Sequence, residues 1–179
     1  MRTLNLFLIF FFLFALNSYS LPKCTGEDTS VWDLCFGTTE YGYEGEWKAG
    51  KYHGQGTYTY LDIHDRYTDG NSRKYVGKWK NGKYHGKGTY TDGYGAKSVG
   101  EWREGLMHGQ GTMTWADGRE YEGEWIRGSM NGQGTLTYKN GSKYVGEWKG
   151  SLKHGQGTMT YFDSKREVSG IWEEGKFIE

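Results

Sequence analysis

Six tryptophans recur in register along this chain, at positions 47, 79, 102, 125, 148 and 172. Each stands two residues after a glycine, at 45, 77, 100, 123, 146 and 170. From the second copy on, the unit returns with a period of about 23 residues. A unit that short cannot bury a core alone, so a chain that writes it repeatedly must stack its copies and share one core between neighbours. The copies start near 43 (YEGEWKAGKYHGQGTYTY), 75, 98, 121 and 144, with a partial copy, VSGIWEEGKF, from Val168. Copies one and two are separated by 32 residues, so an insertion follows the first.

Within each unit the periodicity is two, which is the chemistry of strands. In Tyr121-Glu-Gly-Glu-Trp125 the tyrosine, glycine and tryptophan share a face and the glutamates point away; in Gly132-Gln-Gly-Thr-Leu-Thr-Tyr138 the alternation continues, with Gln133, Thr135 and Thr137 opposite. Turn residues separate the two runs, as in Lys80-Asn81-Gly82-Lys83, where Asn-Gly is a strong hairpin signal. Asp117-Gly118 and Asn140-Gly141 mark the return to the next unit. No segment after residue 20 shows helical periodicity. The expected fold is all-β, a linear solenoid of stacked β-hairpins spaced about 10 Å apart. Aliphatic residues are scarce after the first twenty positions, while aromatics make up 17% of the chain and glycine 30 residues. Tyrosine and tryptophan must therefore supply the buried area, over neighbours whose missing Cβ makes room.

The pattern Y-x-G-x-W-x-x-G-x-x-H-G-x-G-T resembles that of MORN repeats, from roughly Tyr43 to Phe177. The resemblance implies a single-layer, twisted antiparallel sheet with a long groove. It also implies a non-catalytic role in protein interaction or scaffolding, with membrane-lipid contact proposed for some members. The copies depart from the pattern at Ser98, in place of the leading tyrosine, at Asn131, in place of the histidine, and at Ser151, in place of a turn glycine.

Ahead of the repeats, Arg2, the apolar run Leu6 to Leu16 and Ser18-Tyr19-Ser20 read as a secretory signal over residues 1–20, cleaved after Ser20. Eleven apolar residues make about 16 Å of helix, roughly half a hydrocarbon core, which argues against a stable span. The expected localisation is periplasmic or extracellular. The alternatives are membrane attachment through an uncleaved signal or a lipidated Cys24, although Lys23 before that cysteine does not suit a lipobox. In an oxidising compartment Cys24 and Cys35, the only cysteines, are expected to form a disulfide. Residues 21–42 then read as an N-terminal cap in which Trp32 covers the first hairpin of a solenoid over 43–179.

Candidate chemistry is thin. The Gly-x-Gly pairs lie in strands and open no helix, so they are not phosphate cradles. His53, His85, His108 and His154 occupy one repeat position. Rungs about 10 Å apart cannot share a metal that needs ligands at about 2.1 Å. His64, with Asp62, Asp65 and Asp69 in the insertion, matches no known cation loop. The chain balances 22 Lys and Arg against 22 Asp and Glu, which gives no basic excess for nucleic acid. No cofactor, metal, catalytic residue or nucleic-acid partner is expected. Lys74, Lys78, Lys80, Lys83 and Lys87 do form a local acid-free stretch, a candidate anion or lipid patch. The expected function is protein binding or scaffolding along a groove lined by Trp47, Trp79, Trp102, Trp125 and Trp148, with another protein or a second copy meeting the groove or the sheet edge. The alternative is a surface-binding module for anionic lipid or glycan that uses the basic second repeat.

Overall fold

A computed structural model describes residues 21–60 and 73–179. The signal-like segment and the His64 insertion lie outside these residues. After a short 3-10 turn at Thr29–Val31 the described residues form thirteen strands in one antiparallel sheet, ordered as in the sequence. They are β1 (Cys35–Thr38), β2 (Tyr43–Lys48), β3 (Lys51–Thr59), β4 (Lys74–Lys80), β5 (Lys83–Thr91), β6 (Lys97–Arg103) and β7 (Leu106–Thr114). The sheet continues with β8 (Glu120–Ile126), β9 (Ser129–Thr137), β10 (Lys143–Lys149), β11 (Leu152–Thr160), β12 (Glu167–Glu173) and β13 (Lys176–Phe177). Each repeat is one hairpin of a seven- or six-residue strand and a nine-residue strand.

One row of glycines runs unbroken across β1 to β12. Gly37, Gly45, Gly56, Gly77, Gly88 and Gly100 pair in turn, and Gly111, Gly123, Gly134, Gly146, Gly157 and Gly170 carry the row on. Tyrosines lie over this row. Tyr43, Tyr75, Tyr121 and Tyr144 have no exposed surface. A Cβ on Gly134 would stand 2.5 Å from Tyr121 Cζ, and the same distance separates Gly157 from Tyr144. Each phenol then donates to a carbonyl three residues on: Tyr43 to Glu46, Tyr75 to Lys78, Tyr121 to Glu124 and Tyr144 to Glu147, at 2.9 to 3.2 Å. The buried hydroxyls are thus satisfied, as a dry site demands.

The tryptophans tie each repeat to the one before it. Trp79 meets Tyr43 edge-on at 5.3 Å, Trp102 meets Tyr75 at 5.5 Å, Trp148 meets Tyr121 at 5.3 Å and Trp172 meets Tyr144 at 5.2 Å. Each indole N–H donates backwards into the glycine row: Trp79 to Gly56, Trp102 to Gly88, Trp125 to Gly111, Trp148 to Gly134 and Trp172 to Gly157. Edge-to-face ring pairs of this kind contribute about 0.5–1.5 kcal/mol each beyond burial. The turn amides add a second tie. Gly82 donates to Tyr52, Gly105 to Tyr84, Gly128 to Met107 and Gly175 to Lys153, each in the preceding repeat.

The hairpin turns have positive φ at both central residues, as at Asn81 and Gly82 (52° and 79°), the geometry of a type I′ turn. Ser151, which replaces the turn glycine, holds φ 68° all the same, and its hydroxyl accepts the Met130 amide. The third repeat solves a different problem. With Ser98 in the tyrosine's place, Met107 is buried instead, and its Cε sits 2.6 Å from where a Gly111 Cβ would be. Among the described residues, no ring of the third repeat meets Trp125, so the aromatic ladder is interrupted there, with Met107 buried in the ring's place.

At the N-terminal end Cys24 and Cys35 form a disulfide. Trp32 stands edge-on to Trp47 at 4.9 Å, and a parallel bridge pairs Lys23 with Phe36 along β1.

The glycine row generates a direct test. Gly134→Ala drives a methyl into a buried ring that cannot move, and should cost about 3 kcal/mol. Gly111→Ala has its closest contact, 2.6 Å, with the flexible end of Met107 and stands 3.1 Å from the Val99 carbonyl oxygen, so it should cost less, about 1–2 kcal/mol. Urea unfolding of the two variants measures the difference, and equal losses would contradict this packing.

Candidate functional site: two faces of one sheet

The ladder face and its opposite are chemically distinct. On the ladder face the tryptophans are buried, with Trp47 4%, Trp79 5%, Trp102 8%, Trp125 4% and Trp148 5% exposed. Their rings are largely used in packing between repeats and their N–H groups are already bonded, which leaves little of them to line a groove. Half-buried side chains lie against them instead. In the first two repeats these are Tyr52, Tyr58, Tyr84 and Tyr90; in the third and fourth they are Met113, Met130 and the neighbouring Trp115 and Tyr138. Tyr52 stacks flat on Tyr43 at 3.8 Å and Tyr84 on Tyr75 at 3.7 Å. In the fifth repeat Lys153 takes that place, its ammonium 5.0 Å from the Tyr144 ring and 4.6 Å from Trp172, a cation–π contact with both.

The opposite face carries threonines. Thr57, Thr89, Thr112, Thr135 and Thr158 lie in one cross-strand row, alternating with Val76, Val99, Glu122 and Val145. A shallow hollow of about 430 Å³ lies here, lined by Val76, Val99, Thr89, Lys87, Glu101 and Gln110.

A bulge in each long strand was not legible in the alternation. The pairing passes from Gly123–Gly134 directly to Glu124–Asn131, leaving Gly132 and Gln133 as extra backbone, with Gly132 at φ 57°. Gly54, Gly86, Gly109 and Gly155 occupy the same place in their repeats. The glutamate of the facing strand closes the bulge. Glu46 accepts the Gln55 amide at 2.8 Å, Glu124 the Gln133 amide at 3.0 Å and Glu147 the Gln156 amide at 2.9 Å. These glutamates therefore have a structural partner; in the second repeat Lys78 covers Gly86 with its aliphatic stem.

The lysines of the second repeat are divided. Lys74, Lys78 and Lys80 alternate with buried residues along β4 and are exposed together. Lys83 is paired with Glu104 at 2.8 Å, and Lys87 stands across from Glu101 in register. Of the histidines, His53 lies across from Glu46 and His154 across from Glu147. Among the described residues no three His, Cys, Asp or Glu side chains come close enough to hold a metal. Burial pushes the phenols of Tyr43, Tyr75 and Tyr121 well up, and that of Tyr144 up to about 12, with nearby glutamate charge adding to the effect at Tyr43, Tyr121 and Tyr144. They remain neutral donors near neutral pH and are unsuited to act as bases.

Comparison with curated proteins gives no match. The MORN repeat model matches at residues 43–62, 75–93, 99–118, 121–143 and 144–166, together more than half the chain. The proteins of this family are typically non-catalytic repeat modules for binding. Five matched units, each one hairpin of the ladder and in the register that its glycines and tryptophans define, make this chain a member of the MORN repeat family.

Proposed function

We propose that the protein is a non-catalytic interaction module, and that its ladder face receives a segment of a protein partner along a groove. The observation that carries this reading is the half-buried layer over the buried ladder. It runs through successive repeats on a rigid backing, and presents tyrosine rings at one end and thioethers towards the other. Flexible methionines and rigid aromatics are the side chains that adapt to an apolar peptide surface. The module is proposed to work in the periplasm or outside the cell, a reading supported by the Cys24–Cys35 disulfide and the apolar run from Leu6.

Site-specific photo-crosslinking tests the face. With p-benzoylphenylalanine in place of Met113 or Met130, ultraviolet light should yield a discrete protein adduct in the native cell. The same group in place of Thr112 or Thr135, on the opposite face, should yield none. Adducts only from the threonine positions, or none at all, would overturn the reading.

The exposure of Lys74, Lys78 and Lys80 on one strand face favours a second reading, contact with anionic lipid. Full-length protein should then sediment with phosphatidylglycerol vesicles at low salt and be released as salt rises. The Lys78→Glu/Lys80→Glu variant should stay in solution. Absence of sedimentation at any salt would dismiss this reading.

A further inference from the structure

The five repeats act as controls for one another, and one set of side chains exceeds what packing requires. The positions that lie against the ladder are filled by Tyr52 and Tyr58 in the first repeat and by Tyr84 and Tyr90 in the second. The same two positions are Met107 and Met113 in the third repeat and Met130 and Leu136 in the fourth. In the fourth repeat Tyr121 is buried with Met130 and Leu136 in these places, so the ladder itself does not call for phenols there. Where the tyrosines gather they border an open, shallow hollow of about 340 Å³, lined by Tyr52, Tyr58, Tyr60, Tyr84 and Trp79. That volume is at the small end of ligand pockets, which run from about 300 to 1,000 Å³.

We propose that this hollow is a carbohydrate subsite that takes one neutral pyranose ring of a glycan. It stands independently of the peptide reading, and it gives the glycan alternative a site away from the lysines of β4. Three features of the hollow select this chemistry. Its walls are rings at close quarters, with Tyr58 4.6 Å from Tyr60 and Tyr52 5.3 Å from Trp79 between centroids. The electron-rich faces of such rings attract the weakly positive C–H patches of a sugar. Polar groups come as hydroxyls: Tyr60 and Tyr84 share one hydrogen bond between their phenolic oxygens. Two hydroxyls that share one bond keep one O–H proton and several lone pairs for a ligand, which matches a polyhydroxylated ring. Charged groups are few in the lining itself. It includes no acid to hold a cationic ligand, its lysine, Lys83, is paired with Glu104 at 2.8 Å, and the Arg73 guanidinium lies over the Tyr60 ring at 5.3 Å, beside the lining rather than in it.

The test is titration of the full chain with neutral hexasaccharides built from glucose, galactose, mannose or N-acetylglucosamine, read by intrinsic tryptophan fluorescence, which Trp79 in the wall reports. At least one should bind with a dissociation constant below about 10 mM. The double variant Tyr52→Met/Tyr84→Met copies the fourth repeat, where Met130 stands beside Tyr121. It should keep its thermal midpoint within a few degrees and lose about tenfold or more in affinity. Tyr60→Phe, which removes one hydroxyl and no ring, should weaken binding by about tenfold even if the methionine variant fails to fold. Absence of binding by every hexasaccharide would overturn the proposal, as would affinity unchanged in Tyr60→Phe. Binding confined to sulfated glycans and abolished by salt would also overturn it, because such binding belongs to the lysines of β4. None of these outcomes bears on the crosslinking result, so the two readings fail separately.

Discussion

A tyrosine ring lying on a pair of facing glycines is the contact on which the rest of this structure depends. Two strands can bring a buried ring this close to their backbones only where both lack a Cβ, and Gly123 and Gly134 beneath Tyr121 show the arrangement fully. The ring's hydroxyl then returns to the carbonyl of Glu124, so the deepest polar atom in the repeat is satisfied without water. Because the layer is only one side chain thick, no hairpin encloses its own tyrosine. The tryptophan of the next repeat completes the enclosure and bonds back into the glycine row. The solenoid is in this sense a chain of nearest-neighbour interfaces.

The same constraint explains where the repeats can vary. The first-strand glycine and the tryptophan hold their identity through six copies and the second-strand glycine through five, whereas the layer lying against them changes from tyrosine to methionine to lysine. At Lys153 the ammonium sits on the rings that a tyrosine or methionine covers elsewhere. At Ser98 the ladder loses a ring, and Met107, with three flexible torsions, fills the space from the facing strand. The half-buried layer thus varies over a scaffold that does not change with it.

Much of this was legible in the residues. The spacing of Gly45-x-Trp47 and its copies determines hairpins in register, and Asn81-Gly82 marks its turn by chemistry alone. Tyrosine and tryptophan had to be the core because little else apolar is available. The Cys24–Cys35 disulfide followed from there being only two cysteines. The bulges were not legible. Gly132-Gln133-Gly134 reads as plain alternation until β8 is seen to skip Gly132 and Gln133, which pair only with β10, and so the role of Glu124 as the cap of that bulge was hidden too. The tryptophan row and its share in the core were visible, but not how little of each ring is left for a groove, because a period of two places a side chain on a face without saying how deep it lies. Met107 as a substitute for the tyrosine missing at 98 depends on a contact between strands that no single-strand pattern contains.

The central claim is that each repeat's core is shared with its neighbour, and hydrogen exchange resolved by strand on Trp148→Ala tests it most directly. The Trp148 indole lies against Tyr121 and donates to the Gly134 carbonyl, both in the preceding repeat. Removing it should lower amide protection in β8 and β9 as well as in β10 and β11, by about 3 kcal/mol in opening free energy. Loss of protection confined to β10 and β11, with β8 and β9 unchanged, would contradict the account.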